Sequence, residues 1–246
     1  MSTNRYARHL ALAGFGDAEQ ARLRAATALV VGAGGLGSPA LLYLAAAGIG
    51  RLVVSDFDTV DETNLQRQVV FASADIGQPK AAAAAARLRA LNPEVEVEAV
   101  DARLAGDALA QAVSGADVVL DCCDNFATRF ALNAACVAAR KPLVSGAAIR
   151  YEGQFAVFRA DRGHGPCYRC LWEEDAEGLE NCRGNGILGP VVGVVGCMIA
   201  VEALKIASGC APSADGKLML YDGREGSWRS LRLERDPACP VCGDLE

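Results

Sequence analysis

Two Cys-x-x-Cys pairs, Cys167/Cys170 and Cys239/Cys242, stand far apart in the chain with proline or glycine beside each. Four thiolates from two such knuckles satisfy tetrahedral zinc and leave no open coordination position. A metal there would be structural, tying the end of the chain back to its middle. A redox Cys-x-x-Cys is the rival chemistry, but it needs no second pair. Other residues point to phosphate. Gly32, Gly34 and Gly37 follow the G-x-G-x-x-G spacing, in which glycine permits a tight turn and lets phosphates approach a helix N-terminus. Asp56 ends the next apolar run, where a carboxylate could hold ribose hydroxyls. Arg67 and Lys80 follow. Two cations converging on a glycine loop suit a triphosphate better than a dinucleotide, whose pyrophosphate is served largely by backbone N–H groups. Two solvated surface cations are the plainer alternative. Asp124, just past Val118-Val119-Leu120-Asp121, is the natural holder of Mg²⁺ beside a phosphate site. Asp121 is the competing carboxylate, nearer the strand and able merely to cap a turn. The chain has two histidines, His9 and His164, so catalysis is expected to lean on Arg, Lys, Asp or Cys.

These residues need a scaffold. Hydrophobic runs and breakers predict strands at 28–32, 51–55, 95–100, 117–121 and 143–146, and helices at 36–47, 79–91, 107–113 and 126–139. That alternation implies an α/β fold, a Rossmann-like and mostly parallel sheet with helices on both faces. The Asp121–Asn125 run then falls at the sheet's C-terminal edge, where open α/β sheets bind ligands. Pro79 suits a helix start, and Ala81–Ala86 is the best helix-forming composition. After residue 146 the pattern changes to a strand at 152–158, an acidic loop at 173–186 and a small-residue helix from about Pro190 to Ser208. Its Gly193, Val194, Gly196, Cys197 and Ala200 suit close helix packing. Two last strands, near 217–221 and 227–233, extend the sheet with antiparallel C-terminal strands and lead into the zinc knuckle. Residues 1–25 read as short helical pieces in a solvated arm that includes Arg5, Tyr6, Arg8 and His9.

The chain is 246 residues long and 52% hydrophobic, enough for a sizeable core, and its net charge of −6 argues against a nucleic-acid partner. The start is polar, and the longest apolar stretch, Ile187 to Val201, is short of a bilayer span, so the expectation is a cytoplasmic protein without a membrane partner. Ten cysteines in such a chain indicate metal or reactivity rather than disulfides. Cys136 and Cys197 are expected to pack as small apolar side chains.

Taken together, Gly32 to Gly37, Asp56-Phe57-Asp58, Asn64-Leu65-Gln66-Arg67-Gln68, Gly77-Gln78-Pro79-Lys80, Asp121 through Asn125 and both cysteine knuckles resemble the ThiF/MoeB/HesA family, relatives of the ubiquitin-activating enzymes. The resemblance runs from Arg5 to Cys242. It implies one adenylation domain over 1–246, with an N-terminal arm (1–25), a nucleotide-binding core (26–150) and a carrier-binding, zinc-bearing half (151–246). It implies an enzyme that uses Mg-ATP to adenylate the C-terminal glycine of a ubiquitin-like sulfur-carrier protein ending in Gly-Gly, releasing pyrophosphate. Carried over by position, Gly35, Asp56, Asn64, Arg67, Gln68, Lys80, Asp124 and Asn125 bind ATP, with Asp124 on magnesium. Arg8 becomes a finger reaching into the partner subunit's site, which implies a homodimer, although His9 stands where the family usually has glutamine. Cys182, beside Arg183 in the acidic loop, becomes a candidate acceptor of the acyl group or bearer of a persulfide. A separate protein would donate the sulfur.

Cys170-Leu171-Trp172, Asn181-Cys182-Arg183 and Trp228-Arg229-Ser230-Leu231 resemble the thiamine branch, towards which the resemblance leans. Ser145 through Arg150 and Glu152-Gly153-Gln154 resemble the molybdopterin branch. Two other classes remain open on the residues: an NAD-binding Rossmann oxidoreductase, and a non-catalytic scaffold for a carrier tail.

Overall fold

The computed structural model describes residues 5–173 and 185–243. Five parallel strands, β1 (Thr27–Val31), β2 (Arg51–Ser55), β3 (Glu96–Val100), β4 (Val118–Asp121) and β5 (Pro142–Ile149), are continued by antiparallel β6 (Glu152–Arg159), β7 (Lys217–Asp222) and β8 (Ser227–Arg232). Their order is β3-β2-β1-β4-β5-β6-β7-β8. Helices α1 (Ala7–Leu10), α2 (Asp17–Ala25), α3 (Gly37–Ala47), α4 (Lys80–Leu91), α5 (Gly106–Ser114), α6 (Phe126–Ala138), α7 (Tyr168–Leu171) and α8 (Gly189–Ser208) connect them. The expected mostly parallel sheet with an antiparallel extension is therefore the observed one.

Period-two alternation explains why the central strands read as unbroken apolar runs. Ala28, Val30, Val118 and Leu120 face α3, α4 and α8 on one side of the sheet, while Leu29, Val31 and Val119 face α5 and α6 on the other. Burial on both faces leaves no place for a polar side chain until the strand ends. β1 and β4 are neighbours although β2 and β3 intervene in the chain. The strand order reverses there, and the loops leaving their C-terminal ends splay apart to form a crevice. The glycine turn follows β1, and Cys122–Asn125 follows β4.

Two expectations need correction. The N-terminal arm is not freely solvated: Tyr6 is buried, takes a 2.9 Å hydrogen bond from Asn92 Nδ2 and donates to Glu94 at 3.1 Å, while Arg5 donates to the Leu91 carbonyl. The apolar stretch near residue 190 is also longer than expected. α8 has 20 residues at a mean hydropathy of 1.9, long and apolar enough to cross a bilayer, but half of it is buried against this protein's own α3, β5 and β6. Its Gly196 explains the close approach, since a Cβ there would stand 2.4 Å from the Leu36 carbonyl oxygen in the turn before α3. Ala200 is likewise buried, whereas Gly193, Val194 and Cys197 lie on a half-exposed outer side. Cys136 is buried, and Cys197, on that outer side, is half-buried.

Candidate functional site

The glycine turn is built by two close approaches. Gly32 takes φ +97°, a conformation that L side chains rarely adopt, with its Cβ position 2.6 Å from the Cys122 carbonyl oxygen. Gly37 brings the start of α3 so near that a Cβ would lie 1.9 Å from the Gly32 carbonyl oxygen. Gly37→Ala is expected to destabilise the protein by about 2 kcal/mol or more, as overpacking in a tight core does. A lowered urea midpoint, with nucleotide affinity lost in parallel, checks this.

A cavity of about 980 Å³ opens over this turn. Gly32, Gly34, Gly35, Asp56, Arg67, Gln68, Lys80, Asp124 and Asn125 all line it. Arg67, Lys80 and Asp124 therefore share one hollow rather than pointing to separate surfaces. Two of the expected site residues lie elsewhere. Asn64 is not among the lining residues; its carbonyl accepts the N–H groups of Arg67 and Gln68, which shapes the turn that presents both. Arg8 is exposed on α1, outside its own chain's cavity. Cys182 belongs to residues 174–184, outside the described residues.

The details favour an anionic ligand. Asp56 accepts the Ala33 N–H at 2.8 Å and the Asp58 N–H at 3.0 Å. Burial pushes its carboxyl above the usual range, against the pull of those two bonds. Lys80, the first residue of α4, is buried and pairs with Asp58 at 3.3 Å. It is not the solvated surface cation of the plainer expectation. The Arg67 guanidinium donates to the Thr63 carbonyl at 3.0 Å. Gln68 is buried, and among the described residues its Oε1 has no hydrogen-bond partner. An orphaned acceptor at a cavity wall is satisfied when a donor such as a ribose hydroxyl or a water enters.

The two carboxylates after β4 separate cleanly. Asp121 is fully buried and committed: it accepts Ser145 Oγ at 2.6 Å and the Cys123 N–H at 3.2 Å, and Arg129 stands 3.5 Å away. Asp124 is exposed to the cavity, and no hydrogen bond or ion pair engages its carboxylate among the described residues. A carboxylate left free in this position suits a hard cation bridging to phosphate.

Some lining residues escaped sequence reasoning. Phe57 is half exposed and carries the Arg103 guanidinium 4.6 Å above its ring, and both face the cavity. The available signal was position, since Arg103 follows β3 at the same edge of the sheet. Cys122 and Cys123 also line the hollow, but burial pushes both thiols far above the usual range, so they are poor nucleophiles.

Away from the cavity, the sulfurs of Cys167, Cys170, Cys239 and Cys242 all lie within 4.8 Å of one another. Cys167 to Cys239 is 3.7 Å, Cys167 to Cys170 3.9 Å and Cys170 to Cys242 3.4 Å. Four sulfurs bound to one zinc at about 2.3 Å would be spaced by about 3.8 Å. The donor set and its spacing fit zinc.

The ThiF family model matches residues 6–241. The chain is 48% identical over 239 residues to the sulfur carrier protein ThiS adenylyltransferase of Escherichia coli (strain K12), covering 97% of this chain and 94% of that one. It is 45% identical over 239 residues to the molybdopterin-synthase adenylyltransferase of Salmonella typhimurium (strain LT2), covering 97% and 96%. Among solved structures, Escherichia coli MccB superposes with a TM-score of 0.87 at 24% identity, over 99% of this chain and 75% of that one, a likeness of fold. The near-complete family match and the curated relatives agree with the motifs that line the crevice: this chain belongs to the ThiF family.

Proposed function

We propose that this protein is a nucleotidyltransferase that adenylates the C-terminal carboxylate of a ubiquitin-like sulfur-carrier protein, consuming ATP and releasing pyrophosphate. The observation that carries the reading is the convergence of Arg67, Lys80 and the uncommitted Asp124 on the glycine turn. The carrier's terminal carboxylate is already ionised at neutral pH, so no general base is needed. One carboxylate oxygen bonds to the α-phosphorus, and the bond from that phosphorus to the bridging oxygen of pyrophosphate breaks. Arg67 and Lys80 are positioned to spread the charge that develops on the leaving group, which is most of what such catalysis requires. Asp124 would hold magnesium, which supplies further neutralisation of the triphosphate. Asp56 and Gln68 offer acceptors for ribose hydroxyls, Gly35 a close backbone approach, and Asn125 a further polar contact. Asn64 acts through the turn it closes. Cys167, Cys170, Cys239 and Cys242 would hold a structural zinc.

The thiamine-branch carrier is favoured by Trp228-Arg229-Ser230-Leu231 and by the knuckle's Leu171-Trp172. A homodimer gives exposed Arg8 a site to enter, and the outer side of α8, with Val194, Cys197 and Val201, offers it an apolar face. Cys182 is the candidate for a covalent carrier intermediate, with sulfur delivered by another protein.

Incubation with Mg-ATP and each of two carriers, one from the thiamine and one from the molybdopterin branch, tests the reading by intact mass. A carrier heavier by one adenylyl group supports it. An unmodified carrier that binds equally with and without ATP makes the chain a scaffold, and NAD(H) binding without ATP competition makes it an oxidoreductase.

A further inference from the structure

On its inner side α6 buries Leu132, Asn133, Cys136 and Val137. Three of them are satisfied by apolar contact. Leu132 and Cys136 join the cluster that includes Leu29 and Val119, and Val137 packs on Cys167, Cys239 and Cys242. Asn133 is different in kind. It is 1% exposed, and a buried amide must find hydrogen-bond partners or bear the cost of leaving water.

Both ends of that amide go to the first cysteine knuckle. Oδ1 accepts the Tyr168 N–H at 2.8 Å, and Nδ2 donates to Cys167 Sγ at 3.5 Å. The first bond dictates the second. A main-chain N–H can only donate, so the amide oxygen must face Tyr168 and the NH2 group must face the sulfur. Turned over, the amide would set donor against donor at one end and oxygen against sulfur at the other. The main-chain N–H of Cys167 meanwhile donates to Cys170 Sγ at 3.5 Å. The sulfurs of Cys167 and Cys170 thus each receive an N–H within one turn of chain.

Resting on the reading of Cys167, Cys170, Cys239 and Cys242 as a zinc site, we propose that Asn133 belongs to that site without being a ligand. Its amide holds the Cys167 sulfur in place and stabilises the negative charge that sulfur carries when the metal is bound. Four thiolates outweigh one divalent cation, so the loaded cluster is an anion, and Cys167, Cys239 and Cys242 are buried. An anion away from water needs donors, and a hydrogen bond to an ionised acceptor is about twice as strong as one between neutral groups. Groups that hydrogen-bond a metal's ligands orient them and set how tightly the metal is held. Val137 gives the same cluster apolar contact, whereas Asn133 gives it a donor.

The test compares the intact parent with Asn133→Asp and Asn133→Leu. Asn133→Asp keeps an oxygen for the Tyr168 N–H but turns a second oxygen towards Cys167. Asn133→Leu removes both bonds at similar volume. Zinc affinity is read by competition with a chromogenic chelator, and the sulfur-to-metal charge-transfer band is read after cobalt replaces zinc. Both variants are expected to bind zinc about 10- to 100-fold more weakly than the parent, with the cobalt band displaced. An asparagine that only props the fold would lower the thermal midpoint and leave the band in place, which overturns the proposal, as does zinc held as tightly as in the parent. Should neither variant fold, the parent decides. With cadmium-113 in place of zinc, a through-bond coupling between the Asn133 side-chain N–H proton and the metal is expected, and its absence overturns the proposal. A parent that takes up no metal overturns the zinc reading itself, on which the proposal stands.

Discussion

Lys80→Ala is expected to cut carrier-dependent ATP–pyrophosphate exchange by about 100- to 1000-fold, the usual cost of removing one preorganised charge from a phosphoryl-type transition state. The same substitution should leave the fold nearly intact. Lys80 opens α4, where a cation faces the positive end of the helix dipole, so its location does nothing for the helix. Among the described residues its ion-pair partner is Asp58, whose side chain is 46% exposed and can be solvated once the amine is gone. Stability should therefore change by no more than about 1 kcal/mol. Arg67→Ala should behave alike, because among the described residues its guanidinium bonds to the Thr63 carbonyl alone. Exchange that survives either change, with the protein still folded, would remove the charge-spreading role on which the mechanism stands.

Loss of zinc has the second-largest expected effect, and on stability as much as on activity. Cys167, Cys239 and Cys242 are buried around Val137, in a small cluster apart from the two large apolar ones. Zinc-finger peptides gain about 10–16 kcal/mol from such a metal because little else holds them. This chain has a core of its own, so only part of that energy is needed to fold it. Cys242→Ser is expected to abolish zinc retention and lower the thermal midpoint by on the order of 10 °C, a loss of several kcal/mol in a protein of this length. Metal content and calorimetric unfolding on the same sample decide it. A zinc-free protein that melts with the parent would show the four thiols to be dispensable.

Most of the core was legible because its rules are local. Leu29-Val30-Val31 and Val118-Val119-Leu120 announce buried parallel strands by composition, and glycines 32, 34 and 37 mark the turn by spacing. The cysteine cluster was legible because metal ligation imposes a spacing that chance seldom repeats. Other features depend on partners remote in the chain. The commitment of Asp121 to Ser145 and Arg129 decides which carboxylate is free, and no local pattern encodes it. Tyr6 looked like part of a solvated arm because its partners, Asn92 and Glu94, arrive only when α4 folds against the N-terminus. Arg103 was missed because an arginine after a strand is ordinary until Phe57 and the hollow beside it are seen.

The sheet ends on β8, all six of whose residues are exposed. A naked strand border is a template on which further strands can grow, the first step towards fibrous clumping. Arg229 and Arg232 stand on that border, so two identical borders meeting each other would bring like charges together.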